Sequence, residues 1–169
     1  VVHVNRVAGN SSYGIYVVLR HEEEGVEFYS LYSHLASVEP GIAPGRDVRQ
    51  GERLGIMGST AGGYSIPNSR AHLHLEFGLR LTTGFNRWYA ARGYRYPNRP
   101  GSCNGLNLVG WNPLDFSRRA LRREVSGVII YVSRAWYASA GDVLNALSPI
   151  LSLANSMAIL AVAGAIGTR

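Results

Sequence analysis

Ala71-His72-Leu73-His74-Leu75-Glu76-Phe77 is the stretch on which the reading of this chain turns. Its polar and apolar residues alternate strictly, which predicts a β-strand over Ala71–Leu81. Successive side chains of a strand point to opposite faces. His72, His74 and Glu76 would then share one face, with the two histidines roughly 7 Å apart along the strand. Leu73, Leu75 and Phe77 would line the other face and pack into the core. Two imidazoles side by side can hold a metal or act on a substrate. Zinc takes neutral imidazole nitrogen, usually in a tetrahedral set, and catalytic sites keep one position for water. An H-x-H pair on an exposed strand face can also be merely solvated. The context favours chemistry: the alternate face is apolar, a glycine-rich stretch precedes the strand, and Tyr32-Ser33-His34-Leu35 brings another histidine near a strand end.

Working upstream, Val1–Val7 reads as a strand, followed by a turn at Gly9-Asn10-Ser11-Ser12. Ile15–Leu19 is a short apolar run suited to a buried strand. Glu22-Glu23-Glu24-Gly25 makes a polar hairpin loop, and Val26–Leu35 returns as a strand rich in aromatic residues. Between Pro40 and Gly63 glycine recurs at positions 41, 45, 51, 55, 58, 62 and 63. That density punctuates tight turns between short strands such as Asp47–Arg49 and Arg53–Met57. A phosphate-cradling loop would need a helix directly after the glycines and a lysine, and neither signal is present.

Downstream, Gly84–Arg92 carries Phe85, Trp88 and Tyr89 and is expected to be a short helix. Gly93–Pro113, full of Pro, Asn and Gly, reads as an ordered loop. Arg118–Glu124 is a charged helix candidate that marks the end of the β domain. From Val143 to Thr168 no charged residue occurs. That stretch is long enough for a membrane span of about 20 residues, but Pro149, Asn145, Asn155 and several serines dilute it. A membrane-associated helix and a helix buried against the domain or a partner both fit.

The composition sets outer bounds. The chain has 169 residues, 46% hydrophobic, with 20 glycines and 10 tyrosines against 4 phenylalanines. This fits one turn-rich β domain with a tail. All 17 basic residues are arginine, and the formal charge is +6. Such a charge suits anionic partners, but arginine and aromatic residues interleave only weakly, at Arg87-Trp88-Tyr89 and Tyr94-Arg95-Tyr96, and no nucleic-acid partner is expected. Cys103 is the only cysteine, so no intrachain disulfide forms and a reactive thiol is not expected. The chain opens Val1-Val2-His3, which reads as the middle of a strand, and further sequence upstream is expected.

Taken together, Tyr13–His21, Leu31-Tyr32-Ser33-His34-Leu35, Gly45–Gly55, Gly58-Ser59-Thr60 and Ala71–Phe77 resemble the LytM-type, or lysostaphin-like, zinc metallopeptidases of family M23, which cut peptide bonds in peptidoglycan. The features occur in that family's order between Tyr13 and Phe77. The resemblance implies that His74 binds zinc and that His72 and His34 act in catalysis. They would orient or deprotonate the zinc-bound water and stabilise the oxyanion. It also implies a substrate laid across a groove as an extended peptide. The family's other two ligands, a histidine and an aspartate, lie upstream of the matched region. His3 and Asp47 are not convincing substitutes, and His21 reads as structural. With one protein ligand the chain is expected to bind zinc poorly.

Two functional readings follow, with the fold common to both. The chain is expected to be all-β or β-rich: an antiparallel sheet with an open groove over residues 1–117, lacking its N-terminal part, then a helical, apolar tail over 118–169. The first reading is a zinc metalloendopeptidase-like domain that cleaves peptidoglycan peptide, incomplete in this chain. The second is a catalytically inactive LytM-like domain that binds or regulates a cell-wall hydrolase. Either places the protein in the cell envelope or outside the cell, with membrane or partner contact through 143–168. A biotinyl- or lipoyl-type carrier, whose hairpins resemble Gly41–Gly58, is excluded because such carriers attach their cofactor to a lysine.

Overall fold

Tyr16-Val17-Val18-Leu19 is apolar without alternation, and the structure shows what such a run requires: cover on both faces. The computed structural model describes residues 1–23 and 25–124. Six strands form one antiparallel sheet: β1 His3–Asn5, β2 Ile15–Glu23, β3 Val26–Val38, β4 Gly55–Met57, β5 His74–Arg80 and β6 Leu108–Trp111. Their spatial order is β1-β2-β3-β5-β6. The long β3 pairs β2 along one edge. On its other edge Tyr29–Ser33 pairs β5, and Leu35–Val38 pairs β4. The β-rich expectation is met.

The alternating residues of β2 feed two cores. Tyr16 and Val18 join Tyr29, Leu31 and Cys103 on one face. Val17 and Leu19 join Leu35, Val38 and Ile42 on the other, with Val48 and Leu54 packed against them. Val17 and Val18 are fully buried, each contributing about 1.5–3 kcal/mol. The glycine-rich segment thus serves as a cover that delivers Ile42 to the core. Arg6 fastens its start by donating to the carbonyls of Val38, Glu39 and Ile42 at 2.8, 3.0 and 2.8 Å. No α-helix directly follows the glycines, only a single 3-10 turn at Asn68–Arg70. Within the glycine-rich segment only Gly55–Met57 forms a strand, however, and Asp47–Arg49 does not.

Three expectations need correction. The strand predicted over Ala71–Leu81 begins only at His74, because the His72 amide donates to the Gly58 carbonyl rather than to β3. Leu73 is exposed, and Leu75 and Phe77 are only half-buried. The deep core is supplied by β2 and β3, while the Phe77 face of β5 meets a smaller aromatic cluster of Phe28, Trp111 and Phe116. The segment 93–113, read as loop, contains β6, whose Trp111 pairs with Phe77.

The helices complete the domain. α1 spans Phe85–Ala91, inside the predicted range, and buries Phe85. α2 spans Pro113–Leu121 rather than Arg118–Glu124 and so runs across position 117. Its start is fixed by Asn112, whose side-chain oxygen accepts from the amides of Leu114 and Asp115, and by Pro113 in the first turn. All described residues belong to one compact unit. The uncharged stretch 143–168, and with it the reading of a membrane or partner contact there, lies outside the described residues. Among those described, no helix is long and apolar enough to cross a membrane.

Candidate active site

The pairing of β2 with β3 slips by one residue, from Val17↔Tyr32 to Ile15↔Leu35, and the slip places His34. Tyr32 and Leu35 both belong to the core on one face, so Ser33 and His34 between them both turn to the other. This is a β-bulge, a device that re-aims a side chain. His34 carries the cost, with a left-handed φ of 58° that non-glycine residues rarely adopt. Its amide is held by the Tyr13 carbonyl at 3.0 Å.

The bulge brings the three candidate histidines together. The His34 ring lies 5.0 Å from the His72 ring and 5.7 Å from the His74 ring. His34 is buried, His74 is half-buried, and His72 is exposed in the extended lead-in to β5. Tyr64 closes on the outer side, its ring 6.4 Å from that of His34. Each imidazole is fixed through one nitrogen. His34 Nδ1 lies 2.7 Å from the Thr60 carbonyl oxygen, and His72 Nδ1 lies 2.9 Å from the Arg70 carbonyl oxygen. A carbonyl only accepts, so in both rings Nδ1 carries the proton and Nε2 holds the free lone pair. His74 is held the other way round: its Nε2 donates to Glu76 Oε1 at 2.7 Å, which leaves Nδ1 as the basic nitrogen.

Residues not singled out by the histidine pattern support this arrangement. Tyr13 donates its hydroxyl to the same Glu76 oxygen at 2.9 Å. Burial first, and the Glu76 carboxylate second, push the Tyr13 phenol well above the usual tyrosine range, so it remains a donor. Thr60 Oγ1 accepts from the Ile15 amide at 2.9 Å and donates to the Leu35 carbonyl at 2.7 Å, which locks the carbonyl that holds His34. Tyr13 and Thr60 both lie within the matched motif segments, and that was their only signal in the sequence. Ser33, opposite His74 across β3 and β5, buries its hydroxyl with no partner among the described residues. A buried hydroxyl of that kind costs about 1–3 kcal/mol.

The other histidines stand elsewhere. His3 lies 5.2 Å from the Tyr16 ring, and burial lowers its pKa. His21 projects from the opposite face of β2, stacks on Phe28 at 4.8 Å and bonds the Ser30 hydroxyl at 2.6 Å. Asp47 is exposed in the glycine-rich segment.

A catalytic zinc ion takes three protein donors and one open position. Among the described residues, no group of three or more His, Cys, Asp or Glu side chains is placed to hold a metal ion. His74 Nδ1 and the Nε2 atoms of His34 and His72 each carry a lone pair that can take a proton or a metal. With no group of three so placed, the described residues do not fit a zinc ion by themselves. What they assemble is a pair of oriented bases beside a third imidazole backed by a carboxylate.

No curated protein and no solved structure matches the chain. Residues 1–84, which hold His34, His72, His74 and every group that positions them, match the model of peptidase family M23, and the chain carries a domain of that family.

Proposed function

We propose that this domain is the peptide-cleaving part of a zinc-dependent, LytM-type endopeptidase that acts on peptidoglycan in the cell envelope or outside the cell. Family membership supports metallopeptidase-type hydrolysis. The observation that carries the finer reading is the convergence of His34 and His72, each with Nδ1 tied to a backbone carbonyl and Nε2 left basic. An imidazole so fixed can take a proton from an attacking water and, once charged, donate to the oxygen of the scissile carbonyl. His74, oriented by Glu76, is assigned to the metal. Its companion donors must come from outside the described residues.

A second reading, a catalytically inactive domain that binds or regulates another wall hydrolase, is favoured by the absence of a three-donor group among the described residues. One experiment separates the two. Peptide ends released from purified peptidoglycan are measured for this chain, and for the longest natural form of the protein, alongside zinc content. The expected result is hydrolysis by the zinc-loaded protein that falls by about 10²–10⁴ in His72→Ala, the usual contribution of a general acid–base group. Zinc-loaded protein that binds peptidoglycan and releases no new ends would establish the inactive reading.

A further inference from the structure

We propose that the segment Phe85–Arg99, beyond the matched residues 1–84, is a binding site for an acidic saccharide chain of the cell wall. The wall as the source of that chain rests on the function proposed above. The site itself rests on three observations.

The first is charge. From Phe77 to Leu114 the sequence has no Asp or Glu, but it has Arg80, Arg87, Arg92, Arg95 and Arg99. Arg80 pairs with Glu27 at 2.7 Å. The other four are exposed, and none of them forms an ion pair among the described residues. Four guanidinium groups without carboxylates are matched to carboxylate or phosphate groups on a ligand.

The second is the aromatic lining. A cavity of about 370 Å³ is walled by Tyr89, Tyr94 and Tyr96, with the amides of Asn86 and Asn98 at its edge. Tyr94 is 48% and Tyr96 70% exposed, so both present ring surface to a ligand. The Arg92 guanidinium lies 5.2 Å from the Trp88 ring and the Arg95 guanidinium 5.6 Å from the Tyr96 ring, so the cations are spread along the aromatic surface. A sugar ring offers an apolar C–H face to a tyrosine, and its acidic substituents suit the guanidinium groups nearby; the Asn86 and Asn98 amides bond each other at 2.8 Å and hold the cavity wall.

The third is continuity. A second cavity, of about 500 Å³, shares Tyr89, Tyr96 and Pro97 with the first and is also lined by Tyr13. The Tyr13 hydroxyl bonds Glu76, which bonds His74. The second cavity thus links the tyrosine surface to Tyr13, whose ring lies 5.7 Å from that of His74.

The test is co-sedimentation of the full chain with purified peptidoglycan sacculi, with and without their covalently attached phosphate polymer. Wild type is expected to be retained on the sacculi. The double variant Tyr94→Ala/Tyr96→Ala should be retained about tenfold less, from two lost aromatic contacts, with an unchanged circular dichroism spectrum. Arg92→Gln/Arg95→Gln should lower retention and weaken its salt dependence. Retention on both preparations assigns the anion to wall carboxylates, and retention only on the untreated one assigns it to phosphate. Undiminished retention of both double variants overturns the proposal. So does binding of a single-stranded oligonucleotide by a chain that neither preparation of sacculi retains, which would make the surface a nucleic-acid site. Peptide cleavage is scored in the same samples, so retention without cleavage counts against the proposed function alone, and cleavage with unaltered retention in the variants counts against this site alone.

Discussion

Gly14 and Thr60 approach so closely that no side chain could stand between them. A Cβ built on Gly14 would lie 2.2 Å from the Thr60 carbonyl oxygen, 2.4 Å from its carbon and 2.5 Å from Oγ1. That carbonyl oxygen accepts the proton of His34 Nδ1, and Oγ1 closes the strand end through Ile15 and Leu35. The absent side chain at position 14 is thus a condition for the orientation of an imidazole at position 34.

Gly14→Ala should therefore disturb the site as well as the fold. The backbone at Gly14 has φ of 66°, where alanine is strained whatever the space. Strain and backbone overlap together should cost more than about 2 kcal/mol in urea unfolding. The nitrogen NMR signal of His34 Nδ1 should shift as its acceptor moves. A loss below about 0.5 kcal/mol, the range of a neutral surface change, would contradict the contact.

The bulge at His34 makes a prediction that separates backbone from imidazole. Asparagine tolerates left-handed φ values, whereas β-branched residues do so poorly. His34→Asn should keep stability within about 1 kcal/mol of wild type, and His34→Val should lose a further 1–3 kcal/mol, the usual cost of strain at such a position. Both variants lack the imidazole, so peptide cleavage should fall in each. Equal stability of the two would mean that the left-handed backbone at residue 34 is not held as described.

What could be read in advance, and what could not, divides along physical lines. Period-2 alternation around His74 and the unbroken apolar run Tyr16–Leu19 are local signals, and they located β5 and the doubly covered β2. The same alternation cannot show where a ladder slips, so the bulge that turns Ser33 and His34 to one face was hidden. It also overextended β5 to His72, whose amide is claimed by Gly58, a contact set by tertiary structure. The Tyr13–Glu76 bond joins residues 63 positions apart, and no pattern within a window of sequence could pair them. β6 escaped because Leu108–Trp111 is short and lies among glycines and asparagines; its pairing with β5, not its composition, makes it a strand. α2 starts ahead of the charged cluster Arg118–Glu124 because Asn112-Pro113 is itself a strong helix start, set by capping and not by charge.

Glu76→Gln tests the link from Tyr13 to His74. The amide keeps the shape but removes the charge that fixes the His74 proton on Nε2. The His74 ring should then sample both tautomers, which its two nitrogen NMR signals would report. Because Glu76 is the second cause of the raised Tyr13 pKa, after burial, the phenol should titrate at lower pH in the variant while remaining above the ordinary tyrosine range. An ultraviolet titration of tyrosinate that is unchanged from wild type would rule out the contact.

Stability should also fall on mild acidification, through two histidines away from the site. Burial lowers the pKa of His3, and burial followed by the N-terminal charge lowers that of His21. A histidine whose folded pKa is depressed favours the native state when neutral. Its contribution is fully present above the unfolded value of 6.5 and is lost as pH falls through that value toward the folded pKa. Urea midpoints should decline between pH 7.5 and pH 5, above the range in which most carboxylates titrate. His21→Gln, which can still bond the Ser30 hydroxyl, should flatten that decline in part, with His3 accounting for the remainder. A midpoint that rises over the same interval would reverse the sign, and would mean that the protonated rings have native partners which the structure does not contain.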